Sequence, residues 1–186
     1  YLSALSCDPV SAYGGIVSCN YKINKKLAVE LSKIFLEVVI ANGFEKDALK
    51  VLKKKKNLRL IDSYNLILEN TNAHVSNFNS ILIQSLDKKK FNKNDFKIVS
   101  KRKPSSEQLN NLIFAFNVCR YVKSNAIVIA NDQSTLGIGS GQPNRLDSCK
   151  IAIDKMNKFR PDNFENLVAA SDAFFPFVDG IEKLVQ

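Results

Sequence analysis

Hydrophobic residues follow two spacings in the first third of this 186-residue chain. From 25 to 37 they recur every three or four residues, which predicts an amphipathic helix, and a second such helix is predicted over 45–56. Short apolar runs at 38–41 and 58–61, and another after the glycine turn at 14–15, predict buried strands. Strands that alternate with helices predict an α/β layered fold with some parallel pairing.

The second half resumes this alternation after a polar, asparagine-rich middle at 62–103. The middle holds one strand candidate, 80–84, and the only histidine, His74. We interpret His74 as a surface or sheet-edge residue rather than a catalytic base, because no acid or cysteine lies near it in the sequence. The predicted elements that follow are a capped helix from 104–107 to about 123, a hairpin at 126–130 and 135–138, a helix at 145–157, a strand at 167–170 and a helix at 179–185.

Composition narrows the function classes. The formal net charge of +9 suits an anionic partner, but the lysine clusters at 53–56 and 88–90 are typical of a solvated surface, and no nucleic-acid-binding signature accompanies them. No apolar run approaches the roughly 18 residues of a membrane span. The four cysteines form no CxxC pair, which favours reduced thiols in a cytoplasmic protein over disulfides or a zinc site. Without an initiator Met or a signal-peptide pattern, and with a last helix that stops early, the chain is expected to be part of a longer protein.

An aromatic segment at 172–177 reads Asp-Ala-Phe-Phe-Pro-Phe and is followed by Asp179 and Gly180. Proline fixes one backbone angle and pushes the preceding residue toward an extended conformation, so the segment suits neither a helix nor a strand. It predicts a rigid loop that presents aromatic faces. The alternative, a loop that packs its rings into the core, is equally compatible with this segment alone.

A glycine-rich segment, 137–142, lies between a predicted strand and a predicted helix. Glycine lets a ligand or another backbone approach closely, and a helix N-terminus favours anions, so the segment is a weak phosphate or ligand signal. Its spacing fits neither a dinucleotide-binding fingerprint nor a P-loop. Asn125, just before the predicted hairpin, could donate and accept hydrogen bonds at a reacting centre and stabilise an oxyanion, although the local pattern favours a helix C-cap.

Together these segments resemble the AICAR transformylase/IMP cyclohydrolase family. The resemblance is carried by 123–128, 137–142, 145–148, 170–177 and 179–180, and in the first half by 7–16, 37–41 and 54–59; it is weakest over 63–96. It implies a three-layer α/β/α, cytidine-deaminase-like fold, duplicated in the family, incomplete at both ends here and used without zinc. On this basis 1–103 would be part of the first subdomain with a connecting segment, and 104–186 part of the second.

The resemblance also implies a function. The family transfers a formyl group from 10-formyltetrahydrofolate to the amino group of AICAR in de novo purine biosynthesis, as a cytoplasmic homodimer that uses neither nucleic acid nor membrane. In this sequence the catalytic residue would be Asn125, and the residues that bind the nucleotide would be Tyr13, Gly14, Glu37 and Phe174. The folate slot would be formed by Arg145, Leu146, Phe175, Pro176 and Phe177, and a structural potassium ion would be held by Ser124 and Asp172.

Several departures from the family pattern qualify these expectations. The family's catalytic Lys-His pair is absent from this chain and His74 does not take its role, so the chain alone is expected to be inactive. Tyr13 stands where phenylalanine is usual, and Pro143 and Asn144 stand where the family has Met-Ser. Two other interpretations are a basic RNA-binding module with a degenerate deaminase-like fold, and a structural or regulatory fragment without a ligand.

Overall fold

The computed structural model describes residues 1–66, 72–161 and 165–185. The helices are α1 Leu2–Cys7, α2 Lys25–Leu31, α3 Lys46–Leu52, α4 Ser106–Cys119, α5 Arg145–Phe159 and α6 Asp179–Val185. The strands are β1 Gly15–Cys19, β2 Leu36–Ala41, β3 Arg59–Asp62, β4 Asn72–Asn77, β5 Ser80–Ser85, β6 Ile127–Asn131, β7 Ser134–Gly139 and β8 Val168–Ser171. Residues 11–89 form one compact unit, and 1–10 with 90–186 form another.

The unit formed by 11–89 contains a parallel sheet in the order β1-β2-β3. Helices α2 and α3 pack on each other, and their buried side chains include Leu31 and Leu52. The predicted α/β fold with parallel pairing is therefore confirmed. The predicted helix at 25–37 is too long, because α2 ends at Leu31 and the backbone from Leu36 pairs with β1. Pairing with a distant strand overrides the helical spacing of the apolar residues there.

An antiparallel hairpin, β4 with β5, completes this unit and confirms the strand predicted at 80–84. His74 lies exposed on β4, opposite Ile83, in agreement with its interpretation as a surface residue. The lysines at 53–56 and 88–90 are exposed as well.

The unit formed by 1–10 and 90–186 is built on an antiparallel sheet in the order β7-β6-β8. Alternate residues of β6 serve two cores: Val128 packs with Ala115 of α4, and Ile127 packs with Cys149 of α5. Because side chains alternate across a strand, α4 and α5 cover opposite faces of the sheet. The predicted capped helix start is confirmed, since Ser105 and Gln108 form a reciprocal capping box.

Thiols in this unit are free and buried. Burial raises the pKa of the Cys119 thiol to about 11, and the nearby charge of Asp172 adds to the effect. Such a thiol stays protonated at neutral pH and packs as a small apolar side chain. Within the described residues, no helix is both long enough and apolar enough to cross a membrane.

Candidate active site

The phenylalanine loop, residues 172–178, runs from the end of β8 to the start of α6 and holds its three rings in different environments. Phe174 and Phe177 are 81% and 72% exposed. Phe175 instead packs against the core formed by Ile127 and Cys149, with its ring close to Gly180. The loop therefore presents two aromatic faces, as predicted, and is anchored by a third ring. The alternative of a loop packed wholly into the core is wrong for Phe174 and Phe177.

A cavity of about 540 Å³ lies between this loop and the start of α5. Its wall includes seven of the predicted site residues: Asn125, Arg145, Leu146, Phe174, Phe175, Pro176 and Phe177. Asp179, which was not singled out as a site residue, also lines it. The structure thus brings together residues from three separate segments of the sequence, which is the arrangement expected of a ligand site.

Each backbone and side-chain polar group of Asn125 makes at least one hydrogen bond. Its side-chain Nδ2 donates to the carbonyl oxygens of Gln142 (2.9 Å) and Pro143 (3.1 Å), and its Oδ1 accepts from Arg145 (2.8 Å). Its backbone N–H donates to Gln142 O, and its carbonyl oxygen accepts from the buried Ser148 hydroxyl at 2.7 Å. The predicted C-cap role is wrong, because α4 ends at Cys119 with Arg120 as its cap. Asn125 is instead a rigidly held group at the cavity wall.

Arg145 is the centre of the polar network. One guanidinium nitrogen donates to Asp172 Oδ1 at 2.5 Å and to Ser171 Oγ at 2.8 Å, and the other donates to Asn125. The Arg145 side chain is only 10% exposed, and its guanidinium carbon lies 5.8 Å from the centre of the Phe175 ring. A charged, forked donor held by three acceptors at once is far more fixed than a surface arginine.

Asp172 balances this charge. Partial burial alone would raise its pKa, but hydrogen bonds from Ser124, Arg145 and the Ala126 N–H outweigh burial and lower it. The Ser124 hydroxyl donates to Asp172 Oδ2, whereas Oδ1 is taken by Arg145 and Ala126. Two oxygens that meet in this way fit a hard cation, since such ions take hydroxyl and carboxylate ligands. Of the two carboxylate oxygens, Oδ2 accepts one hydrogen bond and Oδ1 accepts two, so Oδ2 is the oxygen with capacity for such an ion.

The glycine-rich segment has a packing role. A Cβ on Gly139 would lie 1.8 Å from the Ser148 carbonyl oxygen, and one on Gly137 would lie 2.0 Å from that of Ala152. These glycines therefore make room for the backbone of helix α5 rather than for a phosphate. Pro143 lies just before α5, because Asn144 caps this helix and accepts from the Asp147 N–H.

Tyr13, Gly14 and Glu37 belong to the unit formed by 11–89. The Tyr13 ring is exposed and lies 5.2 Å from that of Phe35, and the Gly14 N–H donates to the Phe35 carbonyl. Glu37 forms an exposed ion pair with Arg59 at 3.2 Å. The nucleotide-binding role of these residues stays a prediction. The same unit has a cavity of about 940 Å³ whose wall contains none of the predicted site residues. Asn20, Asn42, Asp62 and their neighbours line it.

Sequence reasoning missed Ser148 and the carbonyl groups of Gln142 and Pro143, which hold Asn125, and it missed Ser171, which holds Arg145. One signal was available in the sequence. Arg145 is the first residue of α5, where a positive charge opposes the helix dipole. A cation at that position needs a compensating partner, and Asp172 supplies one.

Comparisons with known proteins identify the family of this chain. The profile of the AICARFT/IMPCHase bienzyme family matches residues 1–155. Relatives described as "Bifunctional purine biosynthesis protein PurH" are 40% identical in Acetivibrio thermocellus, 43% in Petrotoga mobilis and 45% in Lactobacillus acidophilus, over 98%, 100% and 96% of this chain. The chain spans 35% of the length of each of these three relatives. It belongs to the AICARFT/IMPCHase bienzyme family.

Proposed function

We propose that this chain supplies part of the active site for formyl transfer from 10-formyltetrahydrofolate to AICAR, a reaction of de novo purine biosynthesis in the cytoplasm. The observation that carries the proposal is the cavity between the phenylalanine loop and α5, where Asn125 meets Phe174 and Phe177. The family membership supports it, because the matched relatives are named as purine biosynthesis proteins.

The exposed rings suit planar ligands. When a neighbouring ring anchors the loop, an exposed phenylalanine on that loop loses little conformational entropy on binding. Stacking against a heterocycle then buries the face of its ring. Phe174 would stack on the aminoimidazole of AICAR. Phe177, with Pro176 and Leu146, would form the apolar side of the folate slot, and Phe175 would fix the loop beneath it.

Asn125 and Arg145 would orient the reacting groups. Formyl transfer needs the attacking amine and the formyl carbon held in a fixed geometry, which is worth several orders of magnitude in rate. Asn125 would contact the amino or carboxamide region of AICAR, and Arg145 would shape the folate side of the slot. Tyr13, Gly14 and Glu37 would contact the nucleotide, as the family resemblance implies. We expect turnover to need the family's Lys-His motif, which this chain lacks.

The finer structural expectations are part of the same proposal. The fold would be cytidine-deaminase-like and duplicated in the family, and the protein would act as a homodimer. Ser124 and Asp172 would hold the potassium ion, which would supply positive charge to the loop that carries Asn125. No chemical step passes through that ion, and the chain's own hydrogen bonds already order the loop.

A calorimetric titration with AICAR, with and without reduced folate, tests the proposal by binding rather than turnover. We expect Asn125→Ala to weaken binding roughly tenfold or more, as the loss of one well-formed hydrogen bond to a ligand predicts. Asn110→Ala, an exposed asparagine on α4, is the matched control and should bind as the wild type does. Absence of AICAR binding to the wild-type chain, or equal affinity in the Asn125 variant, would contradict the proposal.

A further inference from the structure

We infer that Arg145 is a positioning residue that fixes the Asn125 carboxamide with only its oxygen available, so that Asn125 accepts a hydrogen bond from the ligand instead of donating one. The inference rests on the proposed function for the identity of the ligand. Its structural half, the locking of the carboxamide by Arg145, stands on the network alone.

The carboxamide nitrogen has no donor left. An asparagine Nδ2 carries two hydrogens, and here they go to the carbonyl oxygens of Gln142 at 2.9 Å and Pro143 at 3.1 Å. To donate to a ligand, Asn125 would have to leave one of these carbonyls without a partner. Stabilising a developing oxyanion through Nδ2 would therefore break a bond that the folded chain already makes.

The carboxamide oxygen has capacity left. Oδ1 has two acceptor positions, and within the described residues the network uses one of them, for Arg145 at 2.8 Å. The orientation is set by chemistry. Exchanging the oxygen and nitrogen would place the amide N–H₂ against the guanidinium and the amide oxygen against two carbonyls, so every contact would become repulsive.

Arg145 can impose this orientation because it is itself held at a second point. Asp172 and Ser171 accept from one nitrogen of the guanidinium, and this fixes the plane in which the other nitrogen meets Asn125. A lysine has a single ammonium group without a planar fork, so it could neutralise Asp172 but could not hold both partners in this geometry.

The ligand group that matches a lone acceptor is an N–H. AICAR offers N–H donors on its amino group and its carboxamide, and either would fit the open position on Asn125 Oδ1. A formyl oxygen that gains negative charge would be repelled by the same atom. The donor for that oxygen must then come from a group other than the Asn125 side chain.

The first test needs no ligand. In NMR spectra of the isotopically labelled chain, the Asn125 side-chain amide signal is assigned by its loss in Asn125→Ala, and its hydrogen exchange is measured. We expect protection in the wild type, and a fall of roughly tenfold or more in Arg145→Met and in Arg145→Lys. Lys158→Met, which removes a positive charge from the other end of α5, should leave the exchange unchanged. Arg145→Lys keeps a charge opposite Asp172 and serves if Arg145→Met does not fold. Equal protection in a folded Arg145 variant, or none in the wild type, would overturn the positioning role.

The second test adds AICAR to the same sample. If Asn125 is an acceptor, the carbonyl ¹³C signal of its side chain shifts on binding while the two amide protons keep their shifts and protection. A change in the chemical shift of either amide proton on binding would show that its hydrogen-bond partner has changed, and would overturn the acceptor role. Failure of AICAR to bind would contradict the proposed function instead, and the exchange measured without ligand would still decide the role of Arg145.

Discussion

Replacing Gly139 by alanine probes how tightly α5 is seated on β7. The added Cβ would lie 1.8 Å from the Ser148 carbonyl oxygen and 2.6 Å from its carbonyl carbon. Ordinary contacts begin at 3.4 Å, so the helix backbone would have to withdraw by about 1.6 Å. No flexible side chain can absorb this overlap, because both atoms belong to the backbone of α5.

The expected cost follows from that displacement. Overpacking a core costs about 1–3 kcal/mol, and an overlap with a helix backbone belongs at the upper end, so we expect a loss of roughly 3 kcal/mol. Gly141→Ala is the matched control from the same segment. Its φ of +70° is strained for alanine, but its Cβ would meet only Lys123 Cγ at 3.9 Å, which predicts a cost of about 1 kcal/mol.

Urea unfolding followed by circular dichroism measures both losses, since the slope reports whether the unfolding transition itself has changed. A withdrawn α5 would also pull Ser148 and Arg145 away from Asn125, so AICAR binding to Gly139→Ala should weaken even where the protein is folded. A loss for Gly139→Ala no greater than that for Gly141→Ala would refute the reasoning. It would mean that α5 is not seated on these glycines as the structure has it.

Three further pairs of measurements follow from the site. Because the pKa of Asp172 is lowered in the folded state, its contribution to stability is complete above about pH 4 and is lost as the pH falls toward the lowered value. Urea unfolding in acid should show this loss in the wild type and not in Asp172→Asn. Parallel pH profiles of the two proteins would disprove this contribution of Asp172. Phe175→Ala should lower the free energy of unfolding by roughly 3 kcal/mol because this ring anchors the loop in the core, whereas Phe174→Ala should lower it by less than about 1 kcal/mol yet weaken AICAR binding. Equal losses of stability in thermal melts would contradict the assignment of Phe175 as the anchor and Phe174 as the ligand-binding ring. Ser148→Ala should lower the free energy of unfolding by about 1–3 kcal/mol because it leaves the Asn125 carbonyl without its donor. Ser134→Ala should be nearly neutral, since that buried hydroxyl has no hydrogen-bond partner among the described residues. Similar chemical-denaturation midpoints for the two variants would argue against this account.

The parts of the fold that could be predicted from the sequence are those set by near neighbours. The capping box of Ser105 and Gln108 involves residues three apart, and the turn of the β6–β7 hairpin lies at Asp132 and Gln133, between the strands predicted at 126–130 and 135–138. The phenylalanine loop was predictable because a proline and the flanking acids restrict its backbone locally. In each case the physical cause lies within a few residues of its effect.

The parts that could not be predicted depend on distant partners. Helix α2 ends early because Leu36 pairs with Gly15, 21 positions earlier in the sequence, and no local signal marks that end. The role of Asn125 is set by Gln142, Arg145 and Asp172, which lie 17 to 47 positions further along the chain. A C-cap was the better local explanation for Asn125, and it failed because local patterns do not contain these partners.

The way the network is satisfied also bears on what the cavity can bind. Among the described residues that line the cavity, Arg145 is the only one with a cationic side chain, and its charge is already matched by Asp172. The remaining capacity includes one acceptor position on Asn125, the carboxylates of Asp147 and Asp179, and the open faces of Phe174 and Phe177. A flat heterocycle with N–H groups meets that capacity, whereas the run of phosphates of a nucleic acid would bring further negative charge beside Asp147 and Asp179. The net charge of +9 therefore does not favour a nucleic-acid ligand at this cavity, because the lysine clusters that contribute to it lie outside the cavity wall.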